Sequence, residues 1–105
     1  MATQNQNTEK ITVGEMVRAT VRVNNLNDAA RTRDISAEVE INGTQVTNIQ
    51  NGIVREKDSQ TQTAGFSQYA NSQLNMSFMR ENNREDEMNA VSAFIADAKN
   101  HVYGI

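Results

Sequence analysis

The sequence predicts an α+β fold: an antiparallel sheet of four or five strands, followed by one C-terminal helix packed on it. Three observations predict it. Ile35, Ala37, Val39 and Ile41 alternate with Ser36, Glu38 and Glu40, the period of a strand with one apolar and one wet face. Two Asn-Gly pairs, Asn42-Gly43 and Asn51-Gly52, adjoin β-branched residues. Asn-Gly is the strongest short hairpin signal, because a type I′ turn needs positive φ at both central residues. Met88, Val91, Ile95, Ala98 and Val102 recur at spacings of three and four, with Phe94 at the edge of the stripe. That is the apolar face of an amphipathic helix.

Residues 1–8 are uniformly polar and read as a disordered tail, leaving residues 9–105 as a single α+β domain. Val17, Ala19, Val21 and Val23 alternate with Arg18, Thr20, Arg22 and Asn24, so a first strand runs from Val13 to about Asn24. Residues 24–34 are rich in Asn and Asp and form a loop, with a helical turn at residues 28–31. The second strand spans residues 34–41 and the third residues 44–50. A two-residue turn at Asn42-Gly43 sets Val46 opposite Val39 and sends Ile49 to the other face. Either a bulge corrects this, or both faces are covered there. After a second turn at Asn51-Gly52, Ile53 and Val54 begin a fourth strand. Residues 55–65 are polar and read as a solvated hairpin loop or a long edge ribbon, giving an open edge at residues 53–63. Leu74, Met76 and Phe78 mark a fifth strand over residues 73–79, with Phe66 and Tyr69 on the approach. The helix spans about residues 84–102. Asn82 or Asn83 caps it, Glu85, Asp86 and Glu87 lie in its first turn, and Lys99 and His101 in its last, with Gly104 as terminator.

A chain of 105 residues has room for one domain. Its core is modest, so a homo-oligomer is expected. Apolar residues make up 37% and aromatics 5%, so Val, Ile, Met and Ala must build that core. The net charge of −3 gives no global attraction to nucleic acid or to an anionic membrane. The absence of Cys removes disulfides, thiolate catalysis and Cys-ligated zinc. The N-terminal MATQNQNTEK lacks the pattern of a signal peptide, and no apolar run approaches membrane-spanning length. A cytoplasmic location without a membrane partner is the expectation.

The catalytic inventory is thin. His101 is the one histidine and falls in the last helical turn, where a structural or exposed role suits it. Glu85, Asp86 and Glu87 are consecutive and point in different directions, so they do not converge on a metal. No phosphate-binding, dinucleotide-binding or nucleophile-elbow pattern occurs. A non-enzyme without cofactor, metal or small-molecule substrate follows. The binding candidates are Arg18, Arg22, Arg31 and Arg33, opposed within that window by Asp28 alone. Gathered on one sheet face and its loop, they could contact nucleic-acid phosphates. Alternatively, Arg18 and Arg22 pair across strands with Glu38 and Glu40, and the loop arginines are solvated.

The stretch ISAEVEINGTQVTNI, then NGIV, a polar segment and TAGF, resembles the SpoVG family of bacterial septation regulators. Ala37, Val39, Ile41, Val46, Ile49, Gly52, Ile53, Val54, Ser59, Gly65 and Phe66 carry the likeness, with the helix from Met88 to Ala98. The family's Met-Pro-Ser segment is missing, and Arg55 to Ser59 stand in its place. The resemblance implies a dimer that binds DNA through basic residues near the C-terminal helix. Here that helix offers only Arg84 and Lys99 among its acidic residues. Two expectations follow: a regulatory or nucleic-acid-binding dimer using the arginines, or a structural subunit, such as a phage- or mobile-element-encoded one, assembling through sheet edges.

Overall fold

The computed structural model describes residues 10–43, 45–70, 72–79, 84–101 and 103. The expected tail at residues 1–8, the caps at Asn82 and Asn83, Val102 and Gly104 lie outside the described residues. Among the described residues, one antiparallel sheet of six strands precedes a single helix. The strands are β1 (Thr12–Val17), β2 (Thr20–Asn24), β3 (Arg33–Asn42), β4 (Gln45–Glu56), β5 (Gln62–Tyr69) and β6 (Asn75–Phe78), and the helix is α1 (Arg84–Asn100). Strand order follows chain order, so every connection is a hairpin and β1 and β6 are the edges.

The sheet has more strands than expected because the first predicted strand is a hairpin and because residues 62–69, expected as the end of a polar loop and the approach to the last strand, form β5. Val17 pairs with Thr20, which puts a two-residue turn at Arg18-Ala19. Arg18 takes φ 60°, a region non-glycine residues seldom enter. Ile41 of β3 donates its amide to the Ala19 carbonyl at 2.7 Å and pins the turn. Conversely, the third and fourth predicted strands are one strand, β4. Asn51 does take positive φ, 54°, but in a bulge rather than a turn. Register shifts in both the β3–β4 and β4–β5 ladders leave one extra β4 residue there. Residues 53–63 therefore form no edge: β4 is central, and its turn into β5 closes at residues 57–60.

Bulges also resolve the phase of β4. Asn42 pairs with Gln45, so the β3–β4 turn sits one residue later than expected, with Gly43 at φ 69°. Val46 then faces Ile41, and Ile49 faces Val39. The one-residue shift between them leaves Thr47 extra, and its hydroxyl donates to the Glu40 carbonyl at 3.1 Å. The second shift, at Asn51, brings Val54 back to the core face, where it is fully buried. A further shift in β5 makes Thr63 the extra residue opposite Val54 and Arg55, and a fourth interrupts β1 between Val13 and Met16. Each bulge bends its strand and increases local twist.

The apolar face of the sheet packs on α1 through β3, β4 and β5. Val21, Val39, Ile49, Val91 and Phe94 are among the residues with almost no exposure. Phe66, expected on the approach to the last strand, lies in β5 and is buried. Its ring meets Phe94 edge-on, 5.9 Å between centroids. Tyr69, at the end of β5, is exposed. Gly52 stands opposite Phe66, and a Cβ there would come within 2.4 Å of that ring. The buried stripe of α1 is Glu87, Val91, Phe94, Ile95 and Ala98. It keeps Val91, Ile95 and Ala98 of the expected stripe and takes Phe94 fully into it, but Glu87 stands in the place of Met88, which is 50% exposed. No helix among the described residues is long and apolar enough to cross a membrane.

Gly52→Ala is expected to destabilise the fold by about 1–3 kcal/mol, because the Phe66 ring must move and lose its seat against Phe94. Urea unfolding checks this: the midpoint falls while the slope is unchanged.

Candidate functional site

The four arginines do not form one patch. Arg22 projects from the wet face of β2, since its neighbours Val21 and Val23 are buried. It pairs with Glu38 of β3 at 3.5 Å, with 71% of its side chain exposed. The expected cross-strand pair thus exists for Arg22, whereas Thr20, not Arg18, faces Glu40. Arg18 lies at the exposed β1–β2 turn. Glu38 also accepts from Asn51 Nδ2 at 3.2 Å, and Glu40 accepts from Asn48 and Thr47. The wet face is therefore a lattice of carboxylates bonded mostly by neutral donors.

Arg31 and Arg33 are both engaged inside the fold. The segment between β2 and β3 turns without a helix, through bonds from Asp28 N to Asn25 O and from Arg31 N to Asp28 O. Arg31 Nε donates to Asp34 Oδ1 at 2.6 Å, and its terminal nitrogens reach Asp58 Oδ1 and the Leu26 carbonyl. Asp34 in turn accepts from the Asp58 amide at 2.9 Å. Partial burial pushes the Asp34 carboxyl up. The Arg31 hydrogen bond, the Asp58 amide and the charges of Arg31 and Lys57 outweigh it and hold the pKa below 3.8. This cluster ties the β2–β3 loop to the β4–β5 turn.

Arg33 shares the core-facing side of β3 with Ile35, opposite to the face that Arg22 uses. Its Nε donates to Glu87 Oε1 at 2.6 Å, and Glu87 is 4% exposed at its side chain. The Thr63 hydroxyl donates to the other carboxylate oxygen. The β5 bulge leaves both Thr63 and Ala64 buried, so the hydroxyl reaches the helix. Beside this junction Asn25 is buried and acts as a piece of backbone. Its side chain donates to the Arg33 carbonyl and accepts from the Ile35 amide.

Between the 25–33 loop and the flank of α1 lies a cleft of about 420 Å³. Ala90, Ala93 and Phe94 supply apolar lining, and Asp28, Asp86 and Asp97 supply carboxylates. Arg31 and Arg33 also line it, with their charges already matched by Asp34, Asp58 and Glu87. Its residues pair no nucleophile with a base. Among the described residues no group of three or more His, Asp or Glu side chains is placed to hold a metal. His101 packs edge-on against Tyr103, 4.7 Å between centroids, and the Tyr103 hydroxyl donates to the Ala98 carbonyl at the helix end.

The sheet edges differ. β1 is interrupted by its bulge, carries Glu15 within it and is flanked by Lys10 and Arg18. β6 pairs with β5 without a shift, from Ala64↔Phe78 to Ser67↔Asn75, and carries no charge. Leu74, Met76 and Phe78 pack against the core yet are only partly buried. Arg84 caps the Phe78 ring at 5.1 Å. Sequence reasoning missed Glu87, whose signal was its position four residues before Val91, in phase with the buried stripe. No family model, curated protein or solved structure matches the chain.

Glu87→Ala is expected to lower stability by about 3 kcal/mol, because it strands Arg33 and Thr63 beside the core. Chemical denaturation measures it. Asp34 has a lowered folded pKa, so its contribution is complete above its ordinary value of 3.8 and is lost as pH falls through the folded one. Asp34→Asn should therefore be less stable at neutral pH and show a shallower loss of stability on acidification below about pH 4, measured as unfolding midpoint against pH.

Proposed function

We propose that the chain is a non-enzymatic interaction subunit that associates with further copies of itself through an open edge of its sheet. One observation carries the reading: the sheet ends in an uncharged, unbulged strand whose apolar residues Met76 and Phe78, with Leu74 just before them, are half covered. Met79 is 54% exposed beside them, and Met88, one turn beyond Arg84 on α1, is 50% exposed. Natural edges are normally guarded by charge, bulge or cover, and an unguarded edge templates strand addition. The engagement of Arg31 and Arg33 by internal carboxylates supports the same reading, because it removes half of the basic cluster from solvent-facing work.

A second reading, a small regulatory nucleic-acid-binding dimer, is favoured by the exposure of Arg18 and Arg22 and by the resemblance to the SpoVG family. In that case the β1–β2 hairpin would be the contact, and binding would fall steeply with salt.

Size-exclusion chromatography with light scattering tests the assembly reading. Association that grows with protein concentration, without nucleic acid, is expected. A monomer at every concentration contradicts the proposal. Fluorescence anisotropy with short DNA at low salt tests the second reading. Binding that Arg18→Ala with Arg22→Ala abolishes would favour it, and no binding would remove it.

A further inference from the structure

The geometry points to the occupant of the β6 edge and to its register: a second copy of β6, antiparallel, across a two-fold axis between the two Ser77 residues. The inference rests on the assembly reading and specifies its contact.

The parity of the ladder sets which backbone groups are available. Met79 donates its amide to the Thr63 carbonyl at 2.9 Å, in register with Phe78↔Ala64. Hydrogen-bonded and non-hydrogen-bonded pairs alternate along an antiparallel ladder. Asn75, Ser77 and Met79 therefore direct their N–H and C=O groups at β5. Met76 and Phe78 direct theirs at the open edge. A two-fold partner must match outward residues with outward residues. Only registers centred on a residue satisfy this, and centring on Ser77 uses the whole strand: Met76 meets Phe78 of the partner subunit twice, at two bonds per pair.

The side chains suit a second copy. On the wet face Asn75 and Ser77 are exposed, small and uncharged, so among the described residues of that face of β6 the two-fold brings no like charges together. On the other face each Met76 lies beside the partner's Phe78, which covers the residues that α1 leaves half open. A strand with one free edge pairs once, so the assembly closes as a dimer with a sheet of twelve strands, six from each copy. The β1 edge, bulged and bearing Glu15, does not extend it.

The full chain has no cysteine, so a single introduced one reports contact between copies. Ser77 faces Ser77 of the partner subunit at a non-hydrogen-bonded position, about 4.5 Å between Cα atoms, within disulfide reach. Ser77→Cys should oxidise to a covalent dimer, whereas Gln60→Cys, in the exposed β4–β5 turn, should not. Ser77→Lys should keep the circular dichroism of the native fold and weaken association by at least about tenfold, with the loss reduced at high salt. Association that survives Ser77→Lys, with no Ser77→Cys cross-link, overturns the β6 contact and leaves assembly through another surface. A wild-type chain that is monomeric at all concentrations overturns both.

Discussion

The fold depends on one buried ion pair at the start of its helix. Glu87 enters the core between Arg33 of β3 and Thr63 of β5, and so fixes where α1 lies across the sheet. A carboxylate that buried is tolerable only when its oxygens are met by good donors. Here a guanidinium meets one and a hydroxyl, delivered by a bulge, meets the other. The constraint reaches beyond the pair. It seats Val91, Phe94 and Ala98 over β3, β4 and β5 and turns Met88 outward. The middle of the sheet is roofed, and β6 is left with its apolar side partly open.

Four one-residue bulges among the described residues do the shaping, the one at Asn51 shifting two ladders at once. In β4 they bring Ile49 to the same face as Val46 and Val54, although strict alternation would part it from both. In β5 one produces the Thr63 contact. Gly52 belongs to the same scheme: beside the Asn51 bulge it leaves the hollow that the Phe66 ring fills, and Phe66 holds Phe94. Sequence, bend and packing are thus linked at the centre of the molecule rather than at its turns.

The parts legible in the sequence were those with a clean local period. The alternation of Ile35 to Ile41 is β3, and the three-and-four spacing after Arg84 is α1. Local signals failed where one residue type serves two geometries. Asn tolerates positive φ in a turn and in a bulge alike, so Asn51-Gly52 read as a hairpin. Arg18 turns the chain with no residue that advertises it. The arginines were visible, but their partners were not. Asp58 is 27 residues from Arg31, and Glu87 is 54 from Arg33, separations that carry no local pattern. Those long-range pairs divide the cluster between two faces and commit half of it to holding loops and helix in place.

On the proposed reading, association uses the margin of the sheet at β6. The most direct measurement is residue-resolved amide hydrogen exchange across β6 as a function of protein concentration. Asn75 and Ser77, bonded to β5, should be protected throughout. Met76 and Phe78 should exchange readily in dilute protein and become protected as the concentration rises. Unprotected Met76 and Phe78 amides at concentrations where the protein is associated would contradict pairing through this strand.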